Sequence, residues 1–117
     1  MRAAIMLKLK ILIVDDERDY CSIMKSYFQE KNYEVFLAGT LNEAMHYMDH
    51  NAPDILFLDN NLPDGRGWNH INDLMEKNPG LRLFLVSAYN QKPNIAVDAK
   101  ITIWEKPISL NLLNQHF

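Results

Sequence analysis

The stretch Pro53-Asp54-Ile55-Leu56-Phe57-Leu58-Asp59-Asn60-Asn61-Leu62-Pro63-Asp64-Gly65-Arg66-Gly67 decides the fold. Ile55 to Leu58 is an unbroken apolar run, closed by Pro53-Asp54 before it and by Asn, Pro and Gly after it. A short run of this kind suits a strand covered on both faces, as in a parallel sheet. It ends on a carboxylate, Asp59, and a loop rich in Pro and Gly. In open α/β sheets, ligands bind in the loops beyond the carboxyl ends of strands. A lone Asp there serves equally well as the cap of a turn. Its meaning depends on what else the chain brings to that edge.

Outward from this strand, the pattern alternates. Leu9 to Val14 is rich in β-branched residues and ends on Asp15-Asp16-Glu17. From about Arg18 to Lys31 the apolar residues Tyr20, Ile23, Met24, Tyr27 and Phe28 recur at helical spacing, and Asn32 closes the helix. Tyr33 to Ala38 reads as a second strand, and Thr40-Leu41-Asn42-Glu43 is a capping box opening a second helix. Beyond the central strand, Trp68, Ile71, Leu74 and Met75 form one helical face, stopped by Asn78-Pro79-Gly80. Leu81 to Val86 is a fourth strand. Residues 90–100, interrupted by Pro93, support only a short helix. Ile101 to Trp104 is a fifth strand ending at Glu105-Lys106-Pro107, and Ser109 caps a last short helix. Five such βα units predict a doubly wound, five-stranded parallel sheet with helices on both faces.

The composition narrows the function. With 117 residues, 48% of them hydrophobic, the expectation is one domain with its own core. A net charge of -3 and no basic tract argue against direct contact with nucleic acid. Cys21 is the single cysteine, which excludes a disulfide framework or a thiolate metal cluster. No apolar run reaches the ~20 residues of a membrane span. The segment from Met1 to Leu7 is broken by Lys8 and Lys10 and lacks a small-residue cleavage site, so no signal peptide is read. A cytoplasmic protein is expected.

Right-handed crossovers put the first strand beside the third in both common strand orders. Asp15 and Asp16 then meet Asp59 at one edge of the sheet. Carboxylates this close repel unless a cation lies among them, and a hard divalent ion such as Mg²⁺ (or Mn²⁺) suits oxygen ligands. The same edge receives the Ser87 hydroxyl and the Lys106 ammonium. Acid, hydroxyl, lysine and metal site together suit the handling of a phosphoryl group.

These residues resemble the receiver domain of bacterial two-component response regulators. The resemblance rests on Ile11 to Glu17, Asp59 to Gly67, Ser87-Ala88 and Lys106-Pro107, in that order, and spans nearly the whole chain. It implies a flavodoxin-like strand order 2-1-3-4-5. One domain over 1–117 is expected, either a stand-alone receiver or, as the short last helix favours, a piece or the N-terminal part of a longer regulator. It implies that Asp59 is the phosphoacceptor, fed by a sensor histidine kinase or a phosphotransfer protein. Asp16 would bind Mg²⁺ directly, Asp15 mainly through water, and Asn61 through its backbone carbonyl. Ser87 and Lys106 would each bind a phosphoryl oxygen, with Lys106-Pro107 in the cis form. An output domain or a second copy would receive the signal. The module would catalyse only its own phosphorylation and dephosphorylation.

The chain also departs from the family pattern. Ile103 stands where an inward-swinging Tyr or Phe is usual, with Trp104 beside it. The interval from Ser87 to Lys106 is about two residues short, and the usual Gly before the fifth strand is missing. A receiver with an altered output face is therefore expected, with a pseudo-receiver that does not use phosphorylation as the alternative. An aspartyl-phosphate phosphohydrolase is disfavoured because Asn61 replaces its second Asp and no cap segment is present. Dinucleotide binding is disfavoured because no Gly-rich turn follows the first strand. His46 and His50 share the spacing of a zinc pair, but Tyr47 stands between them and no third ligand is evident, so they read as surface residues. Cys21 and Trp68 read as packing residues. Tyr89 is either a loop residue or one that controls water near the acceptor.

Overall fold

The computed structural model describes residues 8–88 and 100–117. Residues 90–99 of the expected short helix, Tyr89 and the first seven residues lie outside them. In chain order the elements are β1 (Lys10–Val14), α1 (Arg18–Glu30), β2 (Glu34–Ala38), α2 (Leu41–His50), β3 (Ile55–Asp59), β4 (Asn61–Leu62) and β5 (Gly65–Arg66). A 3-10 turn (Gly67–His70) then leads into α3 (Ile71–Lys77), followed by β6 (Arg82–Ser87), β7 (Ile101–Glu105) and α4 (Leu110–His116).

The main sheet has the order β2-β1-β3-β6-β7, and every pairing in it is parallel. Counted within that sheet alone, this is the order 2-1-3-4-5. β4 and β5 form a separate antiparallel hairpin, which the Pro/Gly-rich composition of the loop concealed.

Strand side chains alternate between faces, and here both faces are apolar. Leu12, Val14, Leu56, Leu58, Leu83 and Leu85 pack with Ala44 and Met48 of α2 and with Trp68, Ile71 and Leu74. Ile11, Ile13, Ile55, Phe57, Phe84 and Val86 pack on the other side with Cys21, Met24 and Phe28 of α1 and Leu113 of α4. Phe57 and Phe84 stack across adjacent strands with ring centroids 4.7 Å apart. Full burial of each such side chain contributes about 1.5–3 kcal/mol relative to exposure. Trp104 joins this second face and packs against Phe57, Phe84 and His116. Ile103, its neighbour, points the other way and is 42% exposed.

Local signals close the helices. Thr40 Oγ1 accepts the Glu43 N–H at 3.1 Å, whereas the Glu43 carboxylate takes the Gly39 N–H at 3.3 Å instead of that of Thr40. Ser109 Oγ accepts the Leu112 N–H at 3.0 Å. Asn32 ends α1 with φ 69, a left-handed value that Asn tolerates. The expected third helix starts as a 3-10 turn over Trp68, and Asn78 anchors its end through Nδ2 on Pro53 O at 2.6 Å.

Candidate functional site

The strand register builds the site. Val14 pairs with Leu58, so the next residues, Asp15 and Asp59, leave adjacent strands side by side. Asp59 pairs with Val86 and Ser87 with Glu105. The chain end of each strand thus presents its polar residue just past the last apolar pair. The Lys106 N–H donates to Ser87 O at 2.7 Å, which places the lysine at the same edge. Lys106-Pro107 is cis.

Asp15, Asp16 and Asp59 each offer a carboxylate oxygen within 4.8 Å of the others. Asp15 and Asp59 are buried, while Asp16 is exposed. Lys106 Nζ reaches Asp15 Oδ2 at 2.7 Å, Glu17 Oε1 at 3.1 Å and Asp59 Oδ2 at 3.8 Å. It also lies 4.9 Å from the centre of the Tyr20 ring, whose π face favours a cation. Neither the Glu17 nor the Tyr20 contact was legible in the sequence, because both depend on how α1 lies against the end of β7.

Among the described residues, one ammonium lies among several carboxylates and leaves the charge unbalanced. Burial, then the Asp15 charge, pushes the Asp59 carboxyl up to about 6, against the downward pull of Lys106 and of the Asn61 and Asn60 backbone N–H groups. Burial alone would lower Lys106, but its bonds and charge contacts with Asp15, then Asp59 and Glu17, hold it above the ordinary lysine value. A divalent cation fits this donor set, which is all oxygen, partly open through Asp16 and short of positive charge. The Ser87 hydroxyl is fully buried and has no hydrogen-bond partner among the described residues. An orphaned buried hydroxyl is unfavourable by about 1–3 kcal/mol until an acceptor arrives.

Asn61 lies beyond Asp59 in β4. The Gly67 N–H donates to Asn60 O at 3.0 Å, so the paired residues Asn61 and Arg66 do not bond one another. Their backbone groups face away from each other, and the Asn61 N–H favours the charged form of the Asp59 carboxyl. Gly67 is required here, since a Cβ on it would lie 2.3 Å from Asp59 O.

The other candidates play no part in this site. His46 and His50 are exposed, with the His50 ring nitrogen 3.1 Å from His46 O. Cys21 is buried, and its Sγ lies 3.4 Å from Asp15 O.

Residues 11–116 match the response regulator receiver domain family, and the chain belongs to that family. It is 32% identical over 92 residues to the chemotaxis protein CheY of Listeria monocytogenes, covering 78% of this chain and 76% of that one. It is 29% identical over 113 residues to the transcriptional regulatory protein DpiA of Escherichia coli K12, covering 92% of this chain and 50% of DpiA. The chain therefore spans about half the length of that relative. A two-component response regulator from Clostridium difficile superposes with a TM-score of 0.82 at 26% identity, over 93% of this chain and 92% of the other. The chain is a receiver domain of two-component signalling. Among the described residues no helix is long and apolar enough to cross a membrane.

Proposed function

We propose that Asp59 is the phosphoacceptor of this receiver, loaded from a phosphohistidine of a sensor kinase or a phosphotransfer protein. The observation that carries the reading is the meeting of four groups at one edge: two buried carboxylates, one lysine bridging both, and a buried hydroxyl with no partner among the described residues. An Asp59 carboxylate oxygen attacks phosphorus as the P–N bond to imidazole breaks. The electron pair leaves with the imidazole, which takes up a proton from solvent. The product is an acyl phosphate. Such transfers need positioning and neutralisation of spread charge more than acid or base help.

Asp15, Asp16, Asp59 and the Asn61 carbonyl would hold Mg²⁺ or Mn²⁺, which when bound offsets negative charge on the carboxylates and the phosphoryl oxygens. Lys106, now shared between Asp15 and Glu17, turns to a phosphoryl oxygen, and the Ser87 hydroxyl donates to another. That shift of two partners gives the added phosphate a way to bias one conformation over another. Exposed Ile103 stands on the strand that leads into Lys106, and with the changes noted at 87–105 it suits an output surface of altered chemistry. The length of DpiA supports placing this domain within a longer cytoplasmic regulator that carries an output domain.

The test is intact mass after incubation with acetyl phosphate, with and without Mg²⁺, beside Asp59→Asn. One Mg²⁺-dependent adduct that vanishes in the variant is expected. A label that persists in Asp59→Asn overturns the assignment.

A further inference from the structure

Asp64 sits at the tip of the hairpin between β4 and β5, away from the acid cluster, yet it makes two of the shortest side-chain contacts to backbone near the site. Its Oδ1 accepts the Leu41 N–H at 2.8 Å and its Oδ2 the Asn42 N–H at 2.9 Å. These are the free amides at the start of α2, where a carboxylate also meets the favourable end of the helix dipole. The two bonds hold the Asp64 carboxyl below the usual range, so it is charged at neutral pH. The hairpin lies close on the same helix: a Cβ on Gly65, whose φ is 145, would stand 3.3 Å from Leu41 Cδ1.

The base of the same loop is pinned separately. Gly67 N–H bonds Asn60 O at 3.0 Å, Trp68 N–H bonds Asn60 Oδ1 at 3.2 Å, and the Trp68 indole N–H bonds Leu58 O at 3.3 Å. Asn61 lies between this base and the Asp64 tip. The ladder joining them has only two residues on each side, and so short a hairpin does not hold its own shape in water. What fixes it is its attachment at both ends.

We infer that Asp64 is a positioning residue of the acceptor loop, tying the hairpin to α2 so that the Asn61 backbone stays in place beside Asp59. This rests on the reading of Asp59 and Asn61 proposed above. Thr40 supplies the comparison, because its Oγ1 caps the same helix through the Glu43 N–H and not through the amides that Asp64 holds. A substitution at Thr40 removes a cap of α2 and leaves the Asp64 bonds in place, whereas one at Asp64 also frees the loop.

The experiment is an NMR titration of the whole chain with Mg²⁺, for the wild type, Asp64→Ala, Asp64→Asn and Thr40→Ala. Removing a partner that orients a metal ligand typically weakens affinity by about tenfold or more, and that loss is expected for Asp64→Ala. Asp64→Asn keeps one acceptor oxygen and is expected to fall between, and it carries the test alone if the alanine variant does not fold. In metal-free protein the Asn61 amide signal is expected to move in both Asp64 variants and to stay in Thr40→Ala. Wild-type affinity in the Asp64 variants overturns the inference. So does equal weakening in Thr40→Ala, which would assign the effect to α2 as a whole. A wild type that neither binds Mg²⁺ nor takes a label on Asp59 overturns the proposed function, and this inference with it.

Discussion

Replacing the proposed acceptor, Asp59→Asn, is expected to stabilise the metal-free protein near neutral pH. Burial and the Asp15 charge raise the Asp59 carboxyl from 3.8 to about 6. At ~1.4 kcal/mol per tenfold change, that rise corresponds to at most roughly 3 kcal/mol held against the fold when Asp59 is ionised. Solvent at the open side of the site screens it to about 1–2 kcal/mol. The sign follows from proton uptake. Between about pH 6 and 4 the folded state binds a proton that the unfolded state has not yet taken up, so stability from this group rises as pH falls. Asp64 acts oppositely but lower: its carboxyl is depressed, so its contribution is present above the ordinary carboxylate value and is lost only as pH falls through its folded value. The assay is urea or thermal unfolding from pH 4 to 7.5 with a chelator present. Asp59→Asn should exceed the wild type by about 1–2 kcal/mol at pH 7.5, or roughly 5–10 °C in melting temperature, and the gap should close toward pH 4. Mg²⁺ at ten times its Kd should return about 1.4 kcal/mol to the wild type and less to the variant. Parallel pH profiles, or a variant no more stable than the wild type at pH 7.5, would refute the reasoning.

Two further predictions concern single residues. In Gly67→Ala the new Cβ meets Asp59 O at 2.3 Å and Leu58 Cδ1 at 2.9 Å, both in the central strand, whereas one on Gly39 meets nothing within 4 Å. Unfolding in urea should show a loss of about 3 kcal/mol or more for Gly67→Ala, beside a change within about 0.5 kcal/mol for Gly39→Ala. The Cys21 thiol is pushed up to about 12 by burial first and by Asp15 next, so iodoacetamide at pH 8 should label it only in denaturant. Labelling of the folded protein at the rate of a free thiol would contradict its placement in the core.

Among the described residues the site gathers groups that do not stabilise the fold, namely carboxylates short of counter-charge and a hydroxyl without a partner. The apolar layers around β1, β3 and β6 supply the stability that tolerates them. A receiver needs that imbalance, because the incoming phosphoryl group and cation then meet partners already in place.

Much of this was legible in the chain because the signals are local. Ile55–Leu58 and Ile11–Val14 are apolar throughout, so each must be covered on two sides, and a sheet layered by helices is the way a short chain achieves that. The caps at Thr40 and Ser109 are read within four residues. Asp15, Asp16, Asp59, Ser87 and Lys106 follow apolar runs, and parallel strands carry all such residues to one edge. What needed the tertiary structure were contacts between distant segments and the direction of side chains. Asp64 caps a helix that begins 23 residues earlier, and Lys106 meets Glu17 across 89 residues. The faces taken by Trp104 and Ile103 follow from the register of β7 on β6. Sequence spacing governs neighbours along one element, since helix and strand repeats are fixed by backbone geometry. Which carboxylate a lysine reaches, and which hydroxyl is left without a partner, is decided only when separate elements pack.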